Sequence, residues 1–508
     1  MTVRDQPWGL QLIEYMISKC CSHHRINRMT WHQGGILILT YLAYTCYHMT
    51  RKPMSVVKNV LSFNCSTLSP PPNFLINSSN RDTWCDWAPF DTADAPALLG
   101  ILDSAFLFAY AAAMFLSGFI AERVNLRYFL TFGMLASGGV FQTSGWPGVV
   151  TVVGNWFGKG KRGLIFGIWN SHTSLGNILG SLIAAEFVES DWGLSFMVPG
   201  ITMGFAGFII FLFLAPNPID IGCIPPVPTK YRKFEIVHSS DEDSGAEDQC
   251  DQSYSRLTYR CAYREQVDID DVESARSETS PILQRHRHIQ EIHKGNAIGF
   301  AKAMMIPGVI EYSLSLFFAK LVSYTFLYWL PLYIAASTTY GTTLSADLST
   351  FFDVGGIVGA IAAGILSDYS GTSALTCAVM FGFAVPILFI YDYIGSTGWT
   401  FNIILLLIAG LLVNGPYALI TTAVSAELGT HPSLGNNSKA LATVTAIIDG
   451  TGSIGAAVGP LLAGVVARWT GWHNVFYMLM IADMLALLLL SRLVYRDVQV
   501  YRRRRRAI

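Results

Sequence analysis

The segments GFIAERVNLR at residues 118–127 and GILSDYSGTS at residues 364–373 each carry an acidic residue four positions after a glycine, directly after a long apolar run. The acidic residues are Glu122 and Asp368, and the two segments start 246 residues apart in a chain of 508. An offset close to half the chain indicates an internal repeat. Two parallel helical halves of this kind are typical of large two-lobed membrane folds.

Composition excludes most other classes of protein. Hydrophobic residues make up 52% of the chain and charged residues 14%, against roughly 25% charged in a soluble domain. The 34 basic and 35 acidic residues exclude a bulk-charge nucleic-acid binder. A spanning helix needs about 20 mostly apolar residues, and such runs lie at 33–50, 97–120, 163–187, 194–215, 309–337, 346–366, 373–394, 400–427, 439–467 and 472–495. The sequence therefore predicts an all-α polytopic protein in a lipid bilayer.

Polar segments divide the chain into five parts. Residues 217–296 are rich in Asp, Glu, Ser and Arg, which is typical of a disordered linker. Basic residues concentrate in cytoplasmic loops, so the loops at 121–127 and 158–163 and the run Arg502–Arg506 place both termini and the linker in the cytoplasm. The predicted parts are a cytoplasmic N-terminus (1–32), two helical lobes (33–215 and 301–495), the linker between them (216–300) and a basic tail (496–508).

The loop at residues 51–96 is then expected on the luminal or extracellular side. It carries two glycosylation sequons, at Asn64 and Asn77, which can be used only on that side. It also carries Cys65 and Cys85. We expect these two cysteines to pair, because that compartment is oxidising; the alternative is two unpaired loop cysteines.

The N-terminal half is about one span short. Gly145-Trp146-Pro147 corresponds to Gly415-Pro416, yet 27 residues separate Gly118 from Gly145, whereas 51 separate Gly364 from Gly415. The 30 residues from 128 to 157 lie between two cytoplasmic loops, and two spans with a turn need more than about 40. We predict a splice variant or gene model lacking one exon, with either eleven full spans or ten and a strained hairpin. The alternative is a genuine short re-entrant hairpin.

Two segments place polar groups within spans. Arg51 and Lys52 lie in a first helix that we expect to continue to about Val60. A planar Arg fork with a Lys point charge suits a phosphate, although such a pair can also snorkel to lipid headgroups. Trp169, Asn170 and His172 lie near the middle of the run at 163–187. His172 is either a substrate ligand or a packed structural histidine.

Three strings carry a family resemblance. YHMTRKPMSVVK (47–58), TSGWPGVVTVVGNWFGKGKRG (143–163) and FAKLVSYTFLYWLPLYI (318–334) resemble the eukaryotic glucose-6-phosphate exchangers. These are organophosphate:phosphate antiporters of the major facilitator superfamily, whose signature loop has the Gly-x-x-x-acid form. The resemblance implies a two-lobed fold of nominally six plus six helices. It also implies the endoplasmic reticulum membrane, with endosomal, lysosomal or plasma membranes as alternatives.

The resemblance also implies a binding site. It makes Arg51 the phosphate-binding arginine, aided by Lys52, with Tyr47, Trp169, Asn170 and His172 as further substrate ligands. The second phosphate cation of the family aligns with Ser323, so we assign the role to Lys320, one turn earlier on a similar face. His172 is displaced by one residue from the family pattern, and Thr173 takes the aligned place.

Further charges have expected structural or gating roles. Asp103 and Asp353 lie in equivalent helices of the two halves. Either they pair with basic loop residues and control gating, or they couple protons. We expect Glu122 and Asp368, with Arg123, to hold the lobes together on the cytoplasmic side in one state. No loop gathers a catalytic cluster of His, Asp or Glu, and we expect no metal, no cofactor and no enzymatic activity.

The sequence thus predicts exchange of a sugar phosphate for inorganic phosphate by alternating access. An empty site with unpaired cations would resist crossing the closed state and so enforce exchange. One alternative is a proton-coupled or facilitative carrier of another organic solute, working through Asp103 or Asp353. Another is a membrane enzyme, and a third is a truncated isoform that does not transport.

Overall fold

The computed structural model describes residues 6–20, 28–61, 90, 95–136, 139–157, 162–223, 296–431 and 438–506. All of these except Asn296 and Ser438 belong to one compact unit. Most of the predicted linker and of the 51–96 loop lie outside these ranges.

The described part is almost entirely helical. The N-terminal helices are α1 (Trp8–Cys20), α2 (Arg28–Arg51), α3 (Pro53–Leu61), α4 (Ala95–Ala121), α5 (Leu126–Ala136), α6 (Gly145–Trp156), α7 (Arg162–Phe187) and α8 (Leu194–Phe213). The C-terminal helices are α9 (Phe300–Met304), α10 (Val309–Ser337), α11 (Thr342–Ser370), α12 (Ser373–Ile394), α13 (Trp399–Leu419), α14 (Ser425–Leu428), α15 (Leu441–Thr470) and α16 (Trp472–Arg506). Strands β1 (Asn296–Ala297) and β2 (Ser438–Lys439) pair with each other. Helix α16 thus continues through most of the predicted basic tail.

Eight helices of the described part are long and apolar enough to cross a membrane, namely α4, α8 and the six long C-terminal helices. Two further segments, α2 with α3 and α7, have the length of a span but are more polar. Buried polar residues of both segments, among them Arg51 and Asn170, contribute to the site described below. Ten span-length segments therefore lie in the described ranges.

The third and fourth positions of the N-terminal half hold a short hairpin. Helices α5 and α6 have 11 and 12 residues and are joined through the 3-10 helix Gly139–Ser144. Each is about 17 Å long, roughly half of a 30 Å bilayer core. The matching helices of the second half, α12 and α13, have 22 and 21 residues. The structure agrees with the predicted outcome of ten spans and a hairpin and not with eleven full spans, whereas the missing exon stays a prediction.

Small residues let helices approach within each lobe and between lobes. A Cβ atom on Gly176 of α7 would lie 2.5 Å from the carbonyl oxygen of Thr45 in α2, and one on Gly180 would lie 2.7 Å from that of Met49. Only glycine allows this contact between backbones. Across the lobes, α4 packs on α15 and α7 packs on α11. The second and fifth long segments of each lobe thus form the interface, which places the site between the lobes.

Candidate functional site

A break in the first spanning segment positions the two predicted phosphate cations. Helix α2 ends at Arg51 and α3 begins at Pro53, because proline has no N–H to donate to the carbonyl of Met49. The predicted continuation to about Val60 is confirmed, since α3 reaches Leu61. Arg51 and Lys52 are both buried, with exposed fractions of 5% and 1%. Neither side chain snorkels to a surface in this conformation.

Arg51 meets the tip of the short hairpin. Its Nε atom donates to Oε1 of Gln142 at 2.8 Å, and its guanidinium carbon lies 4.6 Å from the centroid of the Tyr110 ring. The hydroxyls of Tyr47 and Ser144 are 3.2 Å apart beside it. Nη2 of Arg51 is buried and forms no hydrogen bond among the described residues. An anionic oxygen is the partner that such a group favours.

Lys320 enters the same chamber from the other lobe. Its Nζ atom lies 2.6 Å from Oδ1 of Asp449 and 3.3 Å from Oγ of Ser453. Arg51 and Asp449 both lie within electrostatic range of three tyrosines, namely Tyr44, Tyr110 and Tyr417. We call the space around these tyrosines the cation chamber. It brings a cation of each lobe, Arg51 and Lys320, to one interlobe site.

Lys52 binds the backbone of the opposite lobe. Its Nζ atom donates to the carbonyl oxygen of Leu327 at 3.0 Å. This carbonyl has no helical donor, because the residue four positions later is Pro331. A buried carbonyl needs a partner, and Lys52 supplies it. In this conformation Lys52 therefore links the lobes and does not reach the cation chamber.

Lys58 forms a second link of the same kind. Its Nζ atom is paired with Oδ2 of Asp103 and lies 3.2 Å from the carbonyl oxygen of Tyr328. It also lies 4.2 Å from the centroid of the Trp329 ring. Asp103 thus has a basic partner, but that partner is within a helix and not in a loop. Sequence reasoning did not assign a role to Lys58.

A small adjoining cavity, about 20 Å³ in volume, lies between the lobes. Asn170 on α7 and Asp353 on α11 both line this cavity, one from each lobe. Oδ1 of Asp353 accepts from Nδ2 of Asn177 at 2.8 Å, and Oδ1 of Asn177 lies 3.2 Å from Nδ1 of His48. The cavity therefore has walls from both lobes that are bridged by hydrogen bonds.

Trp169 and His172 lie behind this wall and do not line the cavity. Nε1 of Trp169 donates to Oγ1 of Thr40 at 3.1 Å. The His172 ring centroid lies 4.5 Å from that of Trp169 and 4.7 Å from that of Tyr44. Nδ1 of His172 contacts Oγ1 of Thr173 at 3.2 Å. Thr173, which takes the position of the histidine in the family pattern, does line the cavity.

The two acids of the repeat hold opposite lobes together at the end predicted to face the cytoplasm. Oε1 of Glu122 accepts from the backbone N–H of Thr443 at 3.0 Å, and Oδ2 of Asp368 accepts from that of Leu164 at 2.7 Å. Each N–H belongs to the third residue of a helix, α15 or α7, where backbone donors lack helical partners and the dipole favours an anion. Arg123 instead donates to the carbonyl of Phe119, 2.7 Å away in its own helix.

The other end is also closed. Oε1 of Glu189, after α7, accepts from the hydroxyls of Thr342 and Thr343 at the start of α11, at 2.9 and 3.0 Å. Contacts between the lobes at both ends describe an occluded conformation. Asn64, Asn77, Cys65 and Cys85 lie outside the described residues, so their glycosylation and pairing stay predictions.

The sequence of the chain is similar to those of known membrane transporters. A family profile described as Major Facilitator Superfamily matches residues 136–434. The glucose-6-phosphate exchanger SLC37A2 of Mus musculus is 51% identical over 506 residues, covering 94% of this chain and 95% of that protein. The glucose-6-phosphate exchanger SLC37A1 of Homo sapiens is 45% identical over 525 residues, covering 93% and 94%.

Solved structures show the same fold at low identity. The human organic anion transporter MFSD10 (TETRAN) aligns with a TM-score of 0.55 at 14% identity, covering 90% of this chain and 99% of that one. A D-xylose-proton symporter aligns with a TM-score of 0.53 at 10% identity, covering 90% and 96%. At these identities the likeness is one of fold alone.

Proposed function

We propose that this chain, which belongs to the major facilitator superfamily and within it to the family of glucose-6-phosphate exchangers, exchanges a sugar phosphate for inorganic phosphate by alternating access. The favoured sugar phosphate is glucose 6-phosphate, which the names of the relatives specify. The proposal assigns transport and no bond-breaking chemistry.

The single observation that supports a phosphoryl ligand is the state of Arg51. Its guanidinium is buried at the lobe interface, and Nη2 forms no hydrogen bond among the described residues. Leaving a buried charged donor unpaired is costly. A phosphoryl oxygen bound by Arg51, with Lys320 opposite, removes that cost for phosphate and for a sugar phosphate alike.

The same cost explains exchange. An empty carrier must pass the occluded state with Nη2 of Arg51 unpaired, whereas a loaded carrier passes it with Nη2 bound to a phosphoryl oxygen. The contacts of Glu122 and Asp368 must break for opening at one end, and those of Glu189 for opening at the other. The contacts at both ends are present here. We infer that the lobes rock about the α4–α15 and α7–α11 contacts, so that the contacts at one end break while those at the other end stay closed.

The membrane we propose is that of the endoplasmic reticulum, on the resemblance of the chain to the sugar-phosphate exchangers of that compartment. The sequons at Asn64 and Asn77 then lie on the luminal side, where glycosylation is possible.

Exchange in proteoliposomes tests the proposal. Labelled phosphate and labelled glucose 6-phosphate should enter vesicles loaded with phosphate and should not enter vesicles without it. Arg51→Ala should abolish both fluxes. Arg492→Ala is the matched control, because this arginine pairs with Glu311 at the surface. Uptake of a neutral sugar driven by a pH gradient, with no need for internal phosphate, would favour the proton-coupled alternative. Absence of any uptake would favour a truncated isoform that does not transport.

A further inference from the structure

One acidic side chain, Asp353, lines the cavity next to the cation chamber. Its Oδ1 atom accepts from Asn177, and Asn177 is held in turn by His48. The carboxylate is 3% exposed and is also within electrostatic range of Lys52. A carboxylate fixed at this place repels a phosphoryl group and accepts hydrogen bonds from hydroxyls.

Two amides lie on the cavity walls. Asn170 is 4% exposed, and its Oδ1 atom has no donor within 3.5 Å among the described residues. Asn414 accepts from Oγ of Ser323 at 2.7 Å through Oδ1. Amides carry both donors and acceptors, so they match hydroxyl groups, which do the same.

A glycine lets polar groups of both lobes meet at the cavity wall. A Cβ atom on Gly356 would lie 2.7 Å from Nδ2 of Asn414 and 2.9 Å from Oγ of Ser174. A larger residue there would displace these two groups, so Gly356 keeps both of them close to the backbone of α11.

Two tyrosines connect the cavity to the cation chamber. Tyr324 and Tyr417 line the cavity, and their ring centroids lie 5.8 and 5.6 Å from Nζ of Lys320. A ligand with an anionic end at Arg51 and Lys320 would extend past these rings toward Asp353. The two spaces thus match the two chemical parts of a phosphorylated polyol.

We propose that Asp353, held by Asn177 and joined by Asn170 and Asn414, binds the hydroxylated carbon skeleton of the organic substrate. This inference rests on the proposed exchange function and names the groups that distinguish a sugar phosphate from inorganic phosphate. Asp353 is then a specificity-determining residue, and neither a general anion ligand nor a proton carrier.

The test compares two exchange reactions in the same vesicles. With phosphate inside, the KM is measured for external phosphate and for external glucose 6-phosphate. Asp353→Asn should raise the ratio of the glucose 6-phosphate KM to the phosphate KM at least tenfold, because it replaces a charged acceptor without changing its size. Asn170→Ala should move the ratio in the same direction. Asp347→Asn, on the same helix but less buried, is the matched control and should leave the ratio unchanged.

Each remaining outcome is decisive. An unchanged ratio in both variants, or equal losses for both substrates, would overturn the inference and assign Asp353 a structural role as counterion of Lys52. If Asp353→Asn fails to fold, the KM ratio of Asn170→Ala alone decides between a polyol-binding site and a purely structural role for these residues. Wild-type protein that exchanges neither substrate would instead overturn the proposed function, so the two failures are distinguishable.

Discussion

Oε1 of Gln142 accepts a hydrogen bond of 2.8 Å from Nε of Arg51. Gln142 lies in the 3-10 turn at the tip of the half-length hairpin, and Arg51 ends the first spanning helix. The segment that is one span short therefore reaches the centre of the site and orients its main cation. We infer that the hairpin is part of the proposed binding site.

Replacing Gln142 by leucine should weaken substrate binding. A hydrogen bond to a charged group contributes about 1.5–3 kcal/mol, so we expect the KM for phosphate in exchange assays to rise about tenfold or more. Thr151→Val in α6 is the control, since that hydroxyl bonds only within its own helix. A phosphate KM equal to that of the control would show that the hairpin does not orient Arg51.

The buried pair Lys58–Asp103 should behave differently from a surface pair. Removing one partner of a buried ion pair typically costs about 3–5 kcal/mol, so Lys58→Met or Asp103→Leu alone should lower the melting temperature of the purified protein markedly. The double variant should recover most of the loss, because no uncompensated charge remains.

The surface pair Arg492–Glu311 supplies the comparison, with 84% of the Arg492 side chain exposed. Glu311→Gln should cost about 0–1 kcal/mol. If the two buried single variants melt like Glu311→Gln, the pair does not hold α3 on α4.

Glu122 and Asp368, the two acids that bind the N-termini of α15 and α7, should control closure at the end predicted to face the cytoplasm. Asp368→Asn and Glu122→Gln remove a charge from a helix N-terminus, an effect of about 0.3–1 kcal/mol each. We expect a higher population of molecules open at that end. Val124 and Lys302 are both exposed and can carry spin labels. Pulsed electron paramagnetic resonance should report a longer distance between the two labels in the variants than in wild type.

The control here is Arg123→Gln, because Arg123 contacts Phe119 of its own helix and no contact of it with the opposite lobe is seen in the described residues. Identical distance distributions in wild type and in the double variant of Glu122 and Asp368 would contradict a role for the caps in closure.

Patterns along the chain predicted the architecture well for a physical reason. Spanning helices need long apolar runs wherever they pack, so the spans and the repeat are visible without tertiary information. The shortage between Gly118 and Gly145 likewise follows from length alone, and the structure places α5 and α6 there. The choice between eleven spans and a hairpin depends on packing, which length does not reveal.

The site was harder to predict, because its partners are distant in sequence. Asp449 was visible as a charge within a span, but its pairing with Lys320 joins residues 129 apart. Lys58 was visible as a cation in an apolar helix, a signal that points to a buried partner. Gln142 carries no such signal, since a neutral amide in a turn is ordinary.

The measurement that tests the central claim most directly is equilibrium binding of radiolabelled phosphate to the purified protein. The account predicts saturable binding to wild type, competition by glucose 6-phosphate, and loss of both in Arg51→Gln. Arg51→Lys should retain weak binding, because it keeps the charge but not the planar fork. Phosphate binding to Arg51→Gln with the affinity of wild type would contradict the claim that Arg51 holds the phosphoryl group between the two lobes.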